Sequence, residues 1–154
     1  MLMFDAISGH GGVVNQMIGD GLMAIFGAPL PLPDHAAAAV RAALDMIEMI
    51  ELLNADRTAA GKAAIRIGVG IATGEMVAGY TGTQQRATYT CIGDTVNLAA
   101  RLETHTKLAQ RTLLIDPATR AALGDRIVVE PLGAVSFRGK AAPVEVFAVA
   151  LPPG

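Results

Sequence analysis

The sequence predicts an α+β fold in which an antiparallel-rich sheet carries its helices on one face. Strand-like stretches occur both in pairs joined by short turns and on either side of helical stretches, which favours this class over an all-parallel sheet. Hydrophobic residues make up 52% of the chain and aromatic residues only 4%, so we expect an aliphatic core. At 154 residues the chain has the length of one domain, which we place at residues 1–150, followed by a flexible tail at 151–154.

The first part of the chain is predicted to form two helices with a hairpin between them. The first helix ends at the turn His10–Gly12, because glycine adopts the left-handed backbone that terminates helices. Two short apolar runs then flank Asp20 and Gly21, and an Asp-Gly pair is the strongest short-range hairpin signal. Prolines at three of positions 29–33 predict a loop, after which Asp34 is the predicted N-cap of a long helix. The predicted elements are a helix at 1–8, strands at 13–18 and 22–26, and a helix at 34–56.

Strands alternate with two further helices in the rest of the chain. Asp94 or Thr95 is the predicted cap of a helix that extends to about Lys107, and Pro117 at a first turn predicts a short helix. The polar, glycine-containing segment 80–86 is expected to be a loop. Alternation and β-branched residues predict a strand at 65–73. Further strands are predicted at 76–80, 87–92, 112–115, 127–129, 134–137 and 144–149.

Composition argues against several classes of protein. A formal net charge of −2 provides no global basic field for nucleic-acid binding, and the aromatic residues are too few for an RNA-stacking sheet. The single cysteine, Cys91, rules out an intramolecular disulfide, and the histidines show no zinc-ligand spacing. Charged residues interrupt the longest apolar stretch, so we expect no membrane span and no direct membrane contact. We therefore expect a cytoplasmic segment, and the parent protein can still be membrane-anchored.

Three segments carry the functional signal, in this order: VVNQMIGDGLMAIFGAP at 13–29, RIGVGIATGEMVAG at 66–79 and YTCIGDTVNLAARLE at 89–103. Together they resemble the class III nucleotide cyclases, the adenylate and guanylate cyclase catalytic domain. The resemblance extends over nearly the whole chain, from about residue 4 to residue 149. It implies a ferredoxin-like, antiparallel-rich sheet. It also implies a phosphorus–oxygen lyase that converts ATP, or less favourably GTP, to the 3′,5′-cyclic nucleotide and pyrophosphate in cyclic-nucleotide signalling.

Asp20, at the tip of the predicted hairpin, has two interpretations. Turn chemistry alone explains an aspartate before Gly21. The resemblance implies that Asp20 also binds one of two divalent cations, Mg²⁺ or Mn²⁺, which assist attack of the 3′-hydroxyl on the α-phosphate. Because the flanking residues match the family, we favour the metal-ligand interpretation.

Asn97 and Arg101 are four residues apart, which puts both side chains on one face of a helix, one turn apart. In isolation this spacing is typical of a polar helix face, with Arg101 solvated or paired to Glu103. The resemblance implies that the two residues are catalytic and stabilise the transition state. The amide would contact the ribose or the reacting phosphorus, and the guanidinium would contact phosphate oxygens.

The resemblance also implies roles in phosphate binding and base recognition. Arg138, in the segment SFRGKAAP, aligns with a lysine that holds the terminal phosphates, and Lys140 is the second candidate; a solvated charge at a strand end explains either residue equally well. Gln16 and Thr90 occupy the base-specifying positions. Glutamine replaces the lysine found in adenylate cyclases, and its amide presents both a donor and an acceptor that suit adenine or guanine. We expect adenine.

The chain departs from the family pattern at its N-terminal end. The family domain opens with a strand that carries the first metal-binding aspartate, followed by a helix, and this sequence has no matching segment. Asp5 is better explained as helix surface, because it lies only fifteen positions before Asp20 and leads directly into a turn. We expect a gap at the centre of the sheet. With one metal carboxylate instead of two, we expect this chain alone to be weakly active or inactive.

Class III active sites lie between two domains, so the resemblance implies a homodimer, either side by side or with exchanged elements. One subunit would supply Asp20 and the other the base-reading and transition-state residues. Apolar faces around Phe26 and Met76 are expected to support the contact. The alternative function is a non-catalytic cyclase-homology module for dimerisation or nucleotide sensing. The presence of both Asn97 and Arg101 favours the enzyme, because a purely structural module needs neither.

Overall fold

The computed structural model describes residues 2–18, 21–28, 31–75, 77–81 and 88–151. Within these ranges helices and strands follow an α+β order, as the sequence predicts. The helices are α1 (Leu2–Gly9), α2 (His35–Ala59), α3 (Asp94–Ala109) and α4 (Pro117–Leu123). The strands are β1 (Val13–Ile18), β2 (Gly21–Ile25), β3 (Val69–Ile71), β4 (Val77–Thr81), β5 (Thr88–Ile92), β6 (Leu113–Ile115), β7 (Val129–Val135) and β8 (Val144–Val149). No helix in the described ranges combines the length and the apolar character needed to cross a bilayer.

The described strands form three sheets. Strands β1 and β2 form an antiparallel hairpin, β4 and β5 form a second antiparallel pair, and the main sheet has the order β3-β6-β8-β7. Among these pairings only β3 with β6 is parallel, so the predicted antiparallel-rich arrangement is confirmed. Strand β3 lies at one edge of the main sheet, and β1 is hydrogen-bonded to β2 alone among the described strands.

The main sheet is covered on both faces. Side chains alternate along a strand, and in β6 Leu113 and Ile115 belong to a first core with α1, α2 and α4, whereas Leu114 belongs to a second core. Leu98 and Leu102 attach α3 to this second core. The α+β class is therefore confirmed, and three helices lie on one face as predicted. Helix α3 is the exception, because its leucines pack against the residues of β6 and β8 that point the other way.

Helix α1 ends in the glycine turn that the sequence predicts. Gly11 has a φ of 84°, a left-handed conformation that glycine adopts without strain. The Gly12 amide donates to the Ile7 carbonyl oxygen at 2.9 Å, which is the long-range bond of a Schellman motif. The chain then enters β1 and the predicted hairpin. Asp20, at the tip of that hairpin, lies outside the described residues.

The predicted strand 65–73 is wrong at both ends, because only Val69–Ile71 pairs as a strand. Its partner β6 has only three residues, which limits the number of residue pairs that the two strands form. The segment before β3 is held by α2 instead. The Asn54 side chain donates to the Ile65 carbonyl oxygen at 2.8 Å and accepts from the Ile65 amide at 2.7 Å, so it replaces a strand partner there.

The two strands predicted at 127–129 and 134–137 are one strand, β7. The prediction of two strands is wrong, because β7 continues through Pro131 and Gly133. The register instead shifts between these two residues, which forms a bulge. Strand β7 is at the edge of the main sheet, where a proline leaves no ladder hydrogen bond unmade.

Asp34 is the N-cap residue of α2 as predicted, but its side chain does not make the hydrogen bond that usually goes with this position. The Asp34 side chain makes no bond to the first turn of α2, and its φ of 54° is left-handed. The carboxylate instead accepts two hydrogen bonds from the Arg126 guanidinium, one of them at 2.9 Å. Arg126 also donates to the carbonyl oxygens of Ala122 and Leu123. The ion pair therefore connects the start of α2 to the end of α4.

Replacing Asp34 by Asn is expected to lower stability slightly at neutral pH, because the exposed ion pair is lost while Asn still tolerates the positive φ. The hydrogen bond from Arg126 lowers the pKa of Asp34 from its ordinary value of 3.8. A lowered folded-state pKa gives stability that is present above the unfolded-state pKa and is lost as the pH falls through the folded-state pKa. Thermal midpoints of wild type and D34N should therefore differ at neutral pH and converge in acid. A difference independent of pH would rule out the ion pair as its cause.

Candidate active site

Helix α3 positions Asn97 and Arg101. Leu98 and Leu102 are 7% and 0% exposed and attach the helix to the main sheet. Asn97 and Arg101 each directly precede one of these leucines, so they form a second stripe along the rim of the packed face. Asn97 is exposed and Arg101 is half-buried. Asn97 and Arg101 therefore lie one turn apart on one face of α3, as their four-residue spacing predicts.

Contacts with the preceding segments determine where α3 begins and how closely it lies against the main sheet. Its N-cap is Gly93, with a φ of 140° and a ψ of 173°, a backbone conformation essentially restricted to glycine. The Thr95 hydroxyl donates to the Glu75 carbonyl oxygen at 2.8 Å and so joins α3 to the segment after β3. Strand β3 itself lies directly on the helix, since a Cβ at Gly70 would be 2.4 Å from the Ala99 carbonyl oxygen. The two stripes of α3 therefore have a defined position relative to the sheet.

The turn between β7 and β8 carries Arg138 and Lys140. The Lys140 amide donates to the Phe137 carbonyl oxygen at 3.2 Å, and Gly139, the third of these four residues, has a φ of 88°. A positive φ at the third position is the requirement of a type II turn, which glycine meets. A Cβ at Gly139 would lie 3.7 Å from the Nη2 atom of Arg101. The turn therefore lies against the guanidinium of Arg101.

Four of the predicted site residues meet at one small cavity of about 40 Å³ between α3 and this turn. The lining residues are Asp94, Asn97, Leu98, Arg101, Arg138, Gly139 and Lys140. A water molecule occupies roughly 30 Å³ in the liquid, so the cavity has room for a small group and not for a whole nucleotide. The described residues of one chain thus form an open surface with a small cavity rather than a pocket that encloses a nucleotide.

The cations at this cavity take part in none of the ion pairs formed within the described part of the chain. Those pairs are His10 with Asp45, Arg111 with Glu130, and Arg126 with Asp34. The alternative in which Arg101 pairs with Glu103 is therefore not observed. Three cationic side chains and one carboxylate, Asp94, give the cavity a net positive charge that favours anions.

The other predicted site residues are placed only in part. Gln16 lies in β1 opposite Met23, and Thr90 lies in β5 opposite Gly79, with their side chains outside the described part of the structure. Strands β1 and β5 contact each other, so the two positions predicted to read the base are on strands in contact. Asp20 lies outside the described residues altogether. Where the structure is described, no three acidic, histidine or cysteine side chains converge as a metal-binding group.

A larger cavity, of about 260 Å³, lies at the other end of α3. Residues 110–112, 128–130 and 148–151 line it, and none of the predicted site residues borders it. Its two charged side chains, Arg111 and Glu130, pair with each other at 2.8 Å. This cavity is the larger of the two and so has more room for a ligand, but its two charged side chains already neutralise each other. We therefore take the smaller cavity, where the cations are available to a ligand, as the candidate active site.

Two residues at the smaller cavity, Asp94 and Gly139, were not expected from the sequence. Asp94 precedes Asn97 by three residues, so the helical repeat puts it on the same face, and this signal was available. Gly139 separates Arg138 from Lys140, and a glycine between two polar residues at the end of a strand is a signal for a tight turn. Asp94 brings the only negative charge to the lining, and Gly139 allows the backbone to bend there.

Comparisons with known proteins agree with this fold and this residue pattern. Residues 3–150 match the family model "Adenylate and Guanylate cyclase catalytic domain". Adenylate cyclase 1 of Rhizobium meliloti is 34% identical over 148 residues, which are 96% of this chain and 22% of that protein. The structure of the guanylyl cyclase Cya2 matches with 34% identity and a TM-score of 0.86, covering 97% of this chain and 75% of that one. The adenylyl cyclase CyaB from P. aeruginosa matches with 30% identity and a TM-score of 0.87, covering 98% and 78%.

The fold and the sequence matches define an α+β domain of the nucleotide-cyclase class. The chain belongs to the class III adenylate and guanylate cyclase catalytic domain family, as the three sequence segments predict. Members of this family are lyases. The chain spans about a fifth of the length of the Rhizobium meliloti enzyme. Because an adenylyl and a guanylyl cyclase match it equally well, the comparisons define the class and not the base.

Proposed function

We propose that this domain converts ATP to 3′,5′-cyclic AMP and pyrophosphate in cyclic-nucleotide signalling. The observation that carries this proposal is the convergence of Asn97, Arg101, Arg138 and Lys140 at one cavity from two distant parts of the chain. A nucleoside triphosphate presents several negative charges close together, and cations that form no ion pair within the described ranges complement them. Family membership supplies the reaction, in which the ribose 3′-oxygen attacks the α-phosphorus and pyrophosphate leaves.

Asn97 and Arg101 are the proposed catalytic residues. The guanidinium of Arg101 presents N–H donors in a planar fork that matches phosphate oxygens. The amide of Asn97, one turn earlier, is proposed to contact the ribose or the α-phosphate. Both side chains project from a helix that packing holds in place, so their donors are preorganised towards charge that develops in the transition state.

Arg138 and Lys140 are proposed to hold the terminal phosphates, which leave as pyrophosphate. Both residues border the cavity, and this supports binding over the alternative of solvated strand-end charges. Arg138 is exposed, whereas Lys140 is half-buried and so lies deeper in the wall. The two cations are separated by one residue of a tight turn, which allows them to contact neighbouring phosphate groups.

Gln16 and Thr90 are proposed to recognise the base, and we propose adenine. The contact between β1 and β5 supports a shared role for these two positions. A glutamine amide is able to accept from the adenine amino group and donate to a ring nitrogen. The same amide also matches an edge of guanine, so the base preference is decided by assay.

Divalent cations, Mg²⁺ or Mn²⁺, are the proposed cofactors, and Asp20 is their proposed ligand in this chain. A carboxylate suits these ions, which prefer oxygen donors. One carboxylate does not complete a two-metal site, and the described residues contain no further metal-binding group. When bound, such ions stabilise negative charge on the phosphate and attacking oxygens. With Asp20 as the single matched ligand, we propose that this chain alone has low activity.

Two copies of the chain are proposed to form the complete site. A cavity of about 40 Å³ does not enclose a nucleotide, so a second surface must close it. A second copy would bring Asp20 to that surface, with the other site residues coming from the first. The proposed contact face includes Phe26, which is half-buried, and Met76, which lies outside the described residues.

The test is cyclisation of ATP and of GTP with Mn²⁺ by the purified chain, with the CyaB domain as the positive control. We expect slow formation of cyclic AMP and still slower formation of cyclic GMP. Specific activity is expected to rise with protein concentration, because two copies complete the site. Turnover as fast as the control would refute the low-activity proposal, and a preference for GTP would refute the assignment of the base.

Triphosphate binding without any cyclic product would favour a second candidate, a non-catalytic cyclase-homology module for dimerisation or nucleotide sensing. The sequence favours this candidate in one respect, because it matches only one of the family's two metal-binding aspartates, Asp20. Measuring an Asp20→Asn variant in the same assays distinguishes the enzyme from the non-catalytic module. Loss of Mn²⁺-dependent product in D20N supports the enzyme, whereas binding that is unchanged by D20N and never followed by turnover supports the module.

A further inference from the structure

An aromatic contact next to the candidate site connects α3 to the turn that carries Arg138. The rings of His105 and Phe137 have centroids 5.6 Å apart and cross at 83°, the edge-to-face geometry that aromatic pairs favour. His105 follows Arg101 by four residues and so continues the stripe of Asn97 and Arg101. Phe137 immediately precedes Arg138, and its carbonyl oxygen closes the turn. The contact therefore joins the two walls of the cavity.

Phe137 also packs against the second core, which contains Leu98 and Leu102 of α3. A ring that contacts both that core and His105 has few positions available, so the turn that begins at this residue starts from a fixed point. Gly139 permits the turn but restrains it little, because glycine has the largest backbone freedom.

We propose that His105 is a positioning residue that, with Phe137, holds the phosphate-binding turn 137–140 against Arg101. The inference rests on the proposed function, since it takes Arg138 and Lys140 as phosphate ligands. His105 does not border the cavity, so it acts through Phe137 and not by touching phosphate. Fixing the turn before binding reduces the ordering that binding would otherwise require, and this raises affinity.

The test uses the whole purified chain with inorganic tripolyphosphate as the probe, measured by calorimetry. His105→Ala removes the ring and is expected to weaken binding by about 3- to 10-fold, the range that corresponds to the loss of one aromatic pair. His105→Phe keeps an aromatic edge and is expected to restore wild-type affinity. Leu108→Ala is the matched control on the same helix, because Leu108 is 82% exposed. Wild-type affinity in H105A, or equal weakening in H105F, would overturn the proposal.

Two further measurements separate positioning from general destabilisation. In an Arg138→Gln, Lys140→Gln background, His105→Ala is expected to cause no further loss of affinity, because it acts through those two side chains; additive losses would overturn the proposal. Hydrogen exchange at the Lys140 amide is expected to accelerate in H105A and not in L108A, with no ligand required. If the wild type binds no tripolyphosphate, the proposed function loses its phosphate site, while unchanged exchange in H105A independently refutes the positioning role.

Discussion

Replacing Arg101 by Ala is expected to lower the rate of cyclic AMP formation by about 100-fold or more, with a smaller loss of triphosphate affinity. A preorganised donor to developing negative charge contributes about 10²- to 10³-fold to the rate, and the guanidinium of Arg101 lies beside the turn 137–140. Arg138 and Lys140 remain in this variant to hold the terminal phosphates. Rates are measured with Mn²⁺ over a range of radiolabelled ATP concentrations, which separates kcat from KM and detects turnover well below the low rate expected of the wild type. Affinity is measured separately with tripolyphosphate.

Two variants control for charge and for the loss of an arginine. Arg101→Lys keeps the charge without the planar fork, so it is expected to recover affinity and not the rate. Arg111→Gln removes an arginine that lies at the other end of α3 and pairs with Glu130, and it should keep the wild-type rate. If R101A instead raises KM and leaves kcat unchanged, Arg101 binds ground state and transition state equally and is not catalytic.

The helix side of the candidate site could be predicted because its geometry is local. The relation between Asn97 and Arg101 follows from the helical repeat, and Leu98 and Leu102 determine which face is buried. The approach of Arg138 to helix α3 could not be derived in this way. It depends on the position of the turn between β7 and β8 relative to α3, which the packing of the main sheet against that helix determines. Only the family resemblance indicated that approach. Continuing the helical stripe by one more turn would have indicated His105, whereas its contact with Phe137 requires the tertiary structure.

The errors in the predicted elements share a cause, which is competition from partners distant in the sequence. Asp34 has the right residue type for a cap, but the guanidinium of Arg126 takes its carboxylate, and a capping preference worth about 1 kcal/mol is readily overridden. Pro131 interrupts a strand in most settings, but β7 is an edge strand with a bulge at that point. Predictions from single residues such as Asp34 and Pro131 were therefore correct only where local backbone preferences decide the structure. They failed where an element distant in the sequence supplied a hydrogen-bonding or strand partner.

Replacing Gly70 by Ala is expected to disrupt the candidate site through helix α3. A Cβ at Gly70 would lie 2.4 Å from both the Ala99 carbonyl oxygen and the Glu103 amide nitrogen, and 2.7 Å from the Cβ of Leu102. Two of these atoms belong to the helix backbone, so α3 or β3 must move as a whole. Overpacking of this kind costs about 1–3 kcal/mol, and we expect a corresponding fall in the thermal midpoint. Because Asn97 and Arg101 are within one turn of the contact, tripolyphosphate affinity should fall with it.

Gly12→Ala is the matched control, because it overpacks the chain on the other face of the main sheet. A Cβ at Gly12 would lie 2.5 Å from the ring of Phe26 and 2.8 Å from Ile7, both in or beside the first core and away from α3. This variant is expected to lose stability like G70A and to keep wild-type affinity when both are measured well below their thermal midpoints. The difference in tripolyphosphate affinity between G70A and G12A then measures the effect of moving α3, separately from the effect of lower stability. Equal affinity in the two variants would mean that the site tolerates displacement of the helix, and the close glycine contact between β3 and α3 would then serve packing alone.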